Sequence, residues 1–395
     1  MKPFAGFSLF LLYSAAVSAV SAQPSAWIVR TIGNPAQAGS SVPRLATSSD
    51  GLVYLSWVEP FEGGAAFRFA VWSGGKWSNS QTVSRGPEIL AATSSEPGVI
   101  PLGNRMLGAQ WLTKAKEKDA NHIAVAVSRD LGIHWSAPVQ PYRDGTPGEH
   151  MYVSLFSGGD GGMGVVWLDP RRGELTELVQ TTVDATGKLG SEHVIKDDVC
   201  GCCPTSTAAT ARGPVLMYRN RTEADVRDMY LSSLKDGRFE SGHAIHMDNW
   251  TVHGCPTNAG AITASGDKVA AVWFTGADGA KRVKFAFSGD DGATFQKAAI
   301  IDGDKPVGRA SAALLKDGSA VVVWIGGNNS LLARQVWADG RLGSVISIVS
   351  AGPEGKLGFP FAAAAGDGVM AVWTDWKHDK ALGVRTALLL HSPVK

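Results

Sequence analysis

Apolar positions along this chain fall in short runs that stop at Gly, Asp or Asn, and no 3.6-residue period persists for more than a few positions. One run recurs with an aromatic at its end: Leu55-Ser56-Trp57, Ala109-Gln110-Trp111, Val165-Val166-Trp167, Leu216-Met217-Tyr218, Ala271-Val272-Trp273, Val322-Val323-Trp324 and Ala371-Val372-Trp373. The seven anchors are spaced 49 to 56 residues apart. Each is preceded by a small-residue run and a Gly/Asp turn, as in Ala259 to Ala264 and Ser265-Gly266-Asp267. Each is followed by a loop, a third apolar run such as Val283 to Phe287, a turn and a short fourth run.

Four short strands per repeat of about fifty residues predict the blade of a β-propeller. The expected fold is therefore all-β, with seven four-stranded blades. Six is the competing count, because the Tyr218 unit carries the weakest anchor. Small residues suit the innermost strand, where blades crowd at the axis. The last unit stops after its third strand, Gly383 to Leu389, while Ala26 to Ile32 precedes the first full unit. Pairing that orphan strand onto the last blade would close the ring and hide both sheet edges.

The first residues change the compartment rather than the fold. Met1-Lys2, the apolar run Phe7 to Tyr13 and the small residues ending Val20-Ser21-Ala22 form a leader pattern. A signal peptide over 1–22 is expected, with 23–395 folding as one domain. The protein is then exported, periplasmic or secreted, with no membrane span and a compartment in which disulfides persist. With 37 basic against 36 acidic residues, charge gives no reason to expect nucleic acid as a partner. Gly at 47 and Trp at 13 fit a strand-and-turn protein, expected here as a monomer.

Two third-to-fourth-strand turns share Ser-x-Asp-x-Gly-x-x-aromatic: Ser128 to Trp135, with Asp130, Gly132 and Trp135, and Ser288 to Phe295, with Asp290, Gly292 and Phe295. The Asp carboxylate can accept backbone N–H groups across the turn, Gly supplies positive φ, and the aromatic packs back on the blade. This motif, set in the fifty-residue repeat, resembles the Asp box of the sialidase-like (BNR-repeat) propellers. The resemblance implies a structural role for these turns, on the face opposite the ligand site. It also implies a glycan substrate bound by three arginines, a Tyr nucleophile assisted by Glu, and an Asp acid/base. Arg309, in Gly308-Arg309-Ala310-Ser311, resembles one family arginine; Arg44 follows Val42-Pro43 without the family's full motif, and no third arginine or Tyr–Glu pair is marked out. The chain also looks like exported bacterial proteins that carry a Cys-x-Cys-Cys-Pro run.

All four cysteines belong to two related stretches, Cys200-Gly201-Cys202-Cys203-Pro204-Thr205 and Cys255-Pro256-Thr257. Alignment on the anchors puts both at the start of the inner strands of blades 4 and 5, at one mouth of the channel. Arg44, Glu96, His150-Met151 and Arg309 occupy the same place in other blades. Two readings stay open for the cysteines. They can form two disulfides. They can instead join His253, two residues before Cys255, as thiolate and imidazole ligands for one transition metal, copper or zinc. A redox-active thiol is a third use of the same groups.

Asp169, in Asp169-Pro170-Arg171-Arg172, and Arg219, in Tyr218-Arg219-Asn220-Arg221, follow second strands and are candidate ligand-binding groups with Arg44, His150 and Arg309. Paired carboxylates such as Asp169 and Glu59 suit glycoside chemistry but also suit turns. Three functions compete: a thiol site for metal or redox chemistry, a glycan-active or glycan-binding propeller, and a disulfide-stapled interaction scaffold. The ligand is accordingly a metal, a glycan or another small molecule.

Overall fold

The computed structural model describes residues 27–391, apart from 93–95, 118–119, 144, 146–147, 159–160, 259, 304 and 353. The leader pattern over 1–22 lies outside the described residues. Seven antiparallel sheets form a seven-bladed propeller, with one short 3-10 turn at Ala277–Gly279 as the sole helical element among the described residues. Neighbouring inner strands touch all the way round: Ser41–Thr47, Gly98–Gly103, Met151–Ser157, Ser206–Thr210, Gly260–Ser265, Gly308–Leu314 and Phe361–Ala365, which returns to the first.

Every anchor aromatic lies on the second strand of its blade. Trp57, Trp111, Trp167, Tyr218, Trp273, Trp324 and Trp373 are all buried, at 3% exposure or less. The Tyr218 unit is a full four-stranded blade, which decides the count in favour of seven. The core lies between sheets: Leu112, Ile123 and Val125 of blade 2 pack with Val153, Val165, Trp167 and Val179 of blade 3. Burying such side chains stabilises the fold by roughly 1.5–3 kcal/mol each.

Closure follows the expected route. Trp27–Ile32 pairs antiparallel with Lys380–His391, Trp27 opposite His391 and Ile32 opposite Thr386. The N-terminal strand thus becomes the outer strand of blade 7. In blade 2 the outer segment is reduced to an isolated bridge between Val125 and Val139.

Four anchors are also tied electrostatically. Trp57 Nε1 donates to Glu59 Oε2 at 2.8 Å, Trp167 Nε1 to Asp169 Oδ2 at 2.7 Å, Trp373 Nε1 to Asp375 Oδ1 at 2.8 Å, and Trp273 Nε1 to Asp248 Oδ2 at 2.7 Å. Each carboxylate then receives a cation: Arg68, Arg171, Arg385 and Lys284 respectively. In three blades that cation sits directly across the ladder from the tryptophan, since Arg68 opposes Trp57, Arg385 opposes Trp373 and Lys284 opposes Trp273. The pattern joins the second strand to the third through a carboxylate satisfied on both sides.

The two Ser-x-Asp-x-Gly turns are built alike. Asp130 Oδ1 accepts the His134 N–H at 2.9 Å, and Ser128 Oγ accepts the Gly132 N–H at 2.8 Å. Asp290 Oδ1 accepts Thr294 N–H at 2.9 Å, and Ser288 Oγ accepts Gly292 N–H at 2.9 Å. Gly132 has φ +87° and Gly292 φ +86°; a Cβ there would lie 2.4 Å from Phe69 and 2.6 Å from Leu231, on the preceding blades. Trp135 packs edge-on against Phe69 at 6.2 Å, and Phe295 packs against the blade 4–5 core. Because strands alternate in direction, these turns close the end of the propeller opposite the inner-strand starts.

Candidate metal and ligand site at the channel mouth

The inner strands begin with an unusual backbone. Val42, Glu96, Tyr152, Thr257 and Arg309 all have positive φ, between 31° and 54°, although none is glycine. Val42, Tyr152 and Arg309 are each the second residue of their strand, and in all three blades the ladder slips there: between Ser41 and Arg44, Met151 and Ser154, Gly308 and Ser311. A β-branched or bulky residue in the left-handed region is costly, and such strain gathers at functional positions. Here the bulge re-aims side chains at the start of the strand.

The result is a charged cluster. Arg44 donates through Nη1 to the carbonyls of Val153 at 3.2 Å and Glu96 at 3.4 Å, and its guanidinium lies 5.7 Å from the Phe361 ring centroid. Arg309 donates to the Leu357 carbonyl at 3.3 Å and covers the Phe359 ring at 4.6 Å. Burial lowers the proton affinity of both guanidinium groups, against the opposing pull of Glu96. Glu96 is buried and its carboxyl is pushed up to about 7 by desolvation, although Arg44 and then Arg309 pull it down. Tyr152, buried beside it, has its phenol raised by burial first and by the Glu96 charge second. Glu96, Val42, Pro43, Phe359, Phe361 and Trp376 line a small recess beside this cluster. Sequence reasoning named Arg44 and Arg309 but not Tyr152. The signal is a one-residue slip past Met151, which only the bulge explains.

The cysteine loop meets this mouth between blades 3 and 4. Val199 N–H donates to Thr176 O at 3.0 Å, and Cys200 N–H to Arg219 O at 3.0 Å. Gly201 is needed because a Cβ there would lie 2.3 Å from Thr176 Oγ1. Cys200 and Cys203 are buried, at 1% exposure, and Cys202 is half-buried. Their sulfur atoms all lie within 4.8 Å of one another: Cys200 Sγ is 2.7 Å from Cys203 Sγ and 3.8 Å from Cys202 Sγ. No disulfide joins the four cysteines. Hydrogen bonds from Cys200 and then Cys203 hold the Cys202 thiol down to about 4. The Cys202 thiol raises Cys200, and burial pushes Cys203 well up. The loop thus concentrates one thiolate's charge on Cys202.

Two buried arginines flank the sulfur atoms. Arg227 Nη1 donates to Cys200 Sγ at 3.5 Å while its Nη2 donates to Asp225 Oδ1 at 3.1 Å. Arg219 ends a strand, Gly213–Arg219, instead of lying in an open loop. It donates to the carbonyls of Arg227, Phe274 and Asn258 and lies 5.1 Å from the Trp250 ring centroid.

Of the remaining expected groups, Cys255 reaches Cys202 with a side-chain hydrogen bond, whereas His253, His150 and Asp169 are engaged elsewhere. Cys255 is exposed, six positions before Ala261, whose partner Val272 precedes its anchor, whereas Cys203 is three before Ser206, whose partner Met217 precedes its own, so the two Cys-Pro-Thr copies are not in one register. Cys255 is near enough to Cys202 to raise its proton affinity, and Thr257 N–H lowers it. His253 is exposed, with Nδ1 3.0 Å from Asp225 Oδ2. His150 is buried, its ring stacked on Tyr142 at 3.8 Å, with Nε2 3.8 Å from Asp169 Oδ2. Asp169 lies within the strand Met163–Arg172 and is engaged by Trp167 and Arg171. Hydrogen bonding from Arg171 and Trp167 outweighs desolvation and lowers its carboxyl, as befits a fixed anion.

No protein-family model matches the sequence, and no curated protein matches it. Solved structures do match the fold. The BP39L lectin from Burkholderia pseudomallei is 13% identical, covering 89% of this chain and 98% of the lectin, with a TM-score of 0.61. The NanB sialidase from Streptococcus pneumoniae is 13% identical over 93% of this chain and 71% of its own, with a TM-score of 0.47. The α-L-arabinofuranosidase Arb93A from Fusarium graminearum is 12% identical over 93% and 98%, with a TM-score of 0.48. The fold is a seven-bladed β-propeller. At these identities the likeness speaks to architecture, and chemistry has to be argued from the site.

Proposed function

We propose that this is an exported propeller that binds one soft transition-metal ion at its channel mouth through Cys200, Cys202 and Cys203. The observation that carries this reading is three free sulfur atoms mutually within 4.8 Å, two of them buried and one favouring the thiolate. A thiolate is the ligand form, and clustered thiolates select soft or borderline ions such as Cu(I) and Zn(II). The Cys200–Cys202 spacing of 3.8 Å suits two sulfurs sharing one ion. The Cys200–Cys203 pair, at 2.7 Å, is closer than two thiols rest unbonded, so it must spread around an ion or join as a disulfide. Export rests on the leader pattern. The test is elemental analysis with a free-thiol count on unreduced exported protein. About one metal per chain, with thiols shielded from alkylation until chelation, is expected. No metal together with a Cys200–Cys203 disulfide in the peptide map would replace this reading by a structural staple.

A second reading is favoured by the neighbouring charges. Arg44 and Arg309, each beside an aromatic ring and flanking Glu96, suit a small anionic ligand such as an acidic sugar. The lectin neighbour is consistent with a glycan there. A glycan array and a fluorogenic sialoside, each repeated with Arg309→Ala, test it. No binding and no turnover on either would remove it.

A further inference from the structure

The loops leading into blades 4 and 5 meet at one pair of side chains. Cys255 and Cys202 share a side-chain hydrogen bond, and the Thr257 N–H also reaches Cys202. We infer that Cys202 and Cys255 form a disulfide-exchange site linking these two loops, with the disulfide of a small thiol as its substrate. The pair stands on geometry alone; its effect on a bound ion rests on the metal-binding reading above.

Accessibility separates this pair from the other two thiols. Cys200 and Cys203 are 1% exposed, sulfur to sulfur at 2.7 Å, with Arg227 donating to Cys200. Neither is open to an incoming molecule. Cys255 ends an exposed run, His253-Gly254-Cys255, and Cys202 beside it is half-buried. Exchange needs an attacking sulfur that solvent reaches and a second sulfur in contact with it. The backbone holds this pair from both sides. Thr251 is bridged to Val226, Val252 N–H donates to Asp225 O at 3.2 Å, and His253 Nδ1 lies 3.0 Å from Asp225 Oδ2. The loop so engaged is the one whose Arg227 reaches Cys200. Past Cys255, the Thr257 N–H returns to Cys202. Between these ties lies Gly254, with φ +120° and nothing within 4 Å of where a Cβ would stand. That gives Cys255 room to turn as the sulfurs draw together.

The chemistry runs in two exchanges. Cys255 Sγ attacks one sulfur of the small disulfide, whose S–S bond breaks as the mixed disulfide forms. The first small thiol leaves with the Cys255 proton. Cys202 Sγ then attacks Cys255 Sγ, the mixed bond breaks, and the Cys202–Cys255 bond forms. The second small thiol leaves with the Cys202 proton, or with one from solvent where Cys202 was holding an ion. The two cysteines give up two electrons, and the small disulfide takes them to become two thiols. Cys202 is thereby withdrawn from Cys200 and Cys203, and an ion held by the three is released.

The experiment exposes the reduced, full-length mature protein, with and without Zn(II), to glutathione disulfide. Remaining thiols are alkylated and the bonds mapped by mass spectrometry, while a chromophoric chelator follows released Zn(II). A single Cys202–Cys255 bond is expected, with Zn(II) released as it forms. In Cys202→Ser, glutathione should stay trapped on Cys255. In Cys255→Ser, Cys202 should remain a thiol and Zn(II) should be retained. No bond at all, a Cys200–Cys203 bond in its place, or Zn(II) release unchanged in Cys255→Ser overturns the inference while leaving a metal site standing. A Cys202–Cys255 bond in protein that binds neither Zn(II) nor Cu(I) upholds the exchange site and removes the metal-binding reading alone.

Discussion

Arg227 and Cys200 meet across 3.5 Å, guanidinium to sulfur, from the loop after blade 4's second strand and the segment before its first. The contact ties a loop that the sequence marks clearly to a residue that it does not mark at all. Asp225 fixes the other end of the guanidinium and also holds Arg221 and His253. The sulfur cluster is thus supported from behind by a polar network.

That support makes the three clustered cysteines unequal to the fourth. Cys202→Ser should remove bound metal, because Cys202 is the half-buried thiolate through which an ion reaches the buried pair. Cys255→Ser should retain it. Metal-to-protein ratios after gel filtration distinguish the two, and equal loss in both would mean that the exposed thiol is a ligand.

Glu96 should give the fold a distinctive pH dependence. Its carboxyl titrates at about 7 in the folded protein, above the usual carboxyl range. Between that range and pH ~7 the folded state therefore holds a proton that the unfolded chain has released, and stability falls as pH rises. The contribution is fully present below the unfolded pKa and is lost once pH passes the folded one. Urea unfolding across pH 4 to 8 should show this decline in the wild type and a flatter curve in Glu96→Gln. Parallel curves would exclude Glu96 as its source.

The indole–carboxylate–cation ties should be worth more than surface ion pairs. Glu59→Ala leaves the buried Trp57 N–H and Arg68 without their acceptor, so a loss of about 3 kcal/mol is expected. Glu59→Gln keeps one acceptor and should cost less. Chemical denaturation of both variants ranks them, and a change below ~0.5 kcal/mol in Glu59→Ala would make the tie incidental.

Gly132→Ala combines a strained φ with a Cβ driven into Phe69. A loss of about 2 kcal/mol or more is expected, because the clash adds to the left-handed penalty. Gly103→Ala is the control, since φ is +87° there but nothing lies within 4 Å of a new Cβ. Thermal melts should place Gly132→Ala clearly below the control.

The sequence by itself determined the repeat and the closure, and it put the blade count at seven with six as the competitor. Each depends on local periodicity: an aromatic at the end of a strand, a turn residue after it, and an orphan strand with nowhere else to pair. It also determined that three cysteines sit together, because they lie within four positions of one another. Only the tertiary structure decided which polar groups are spent and which are available. Asp169 and Arg219 look like loop residues in the sequence but lie in strands, engaged by Trp167 and Arg171 or by backbone carbonyls. Tyr152 and Arg227, unmarked in the sequence, are brought to the mouth by a bulge and by the loop between the second and third strands of blade 4. The two Cys-Pro-Thr copies match as letters yet differ by three positions in register, and that slip leaves Cys255 exposed at the edge of the cluster, beside Cys202. The physical reason is the same throughout: a propeller's strands follow local pattern, whereas its mouth is assembled from seven chain segments far apart in sequence.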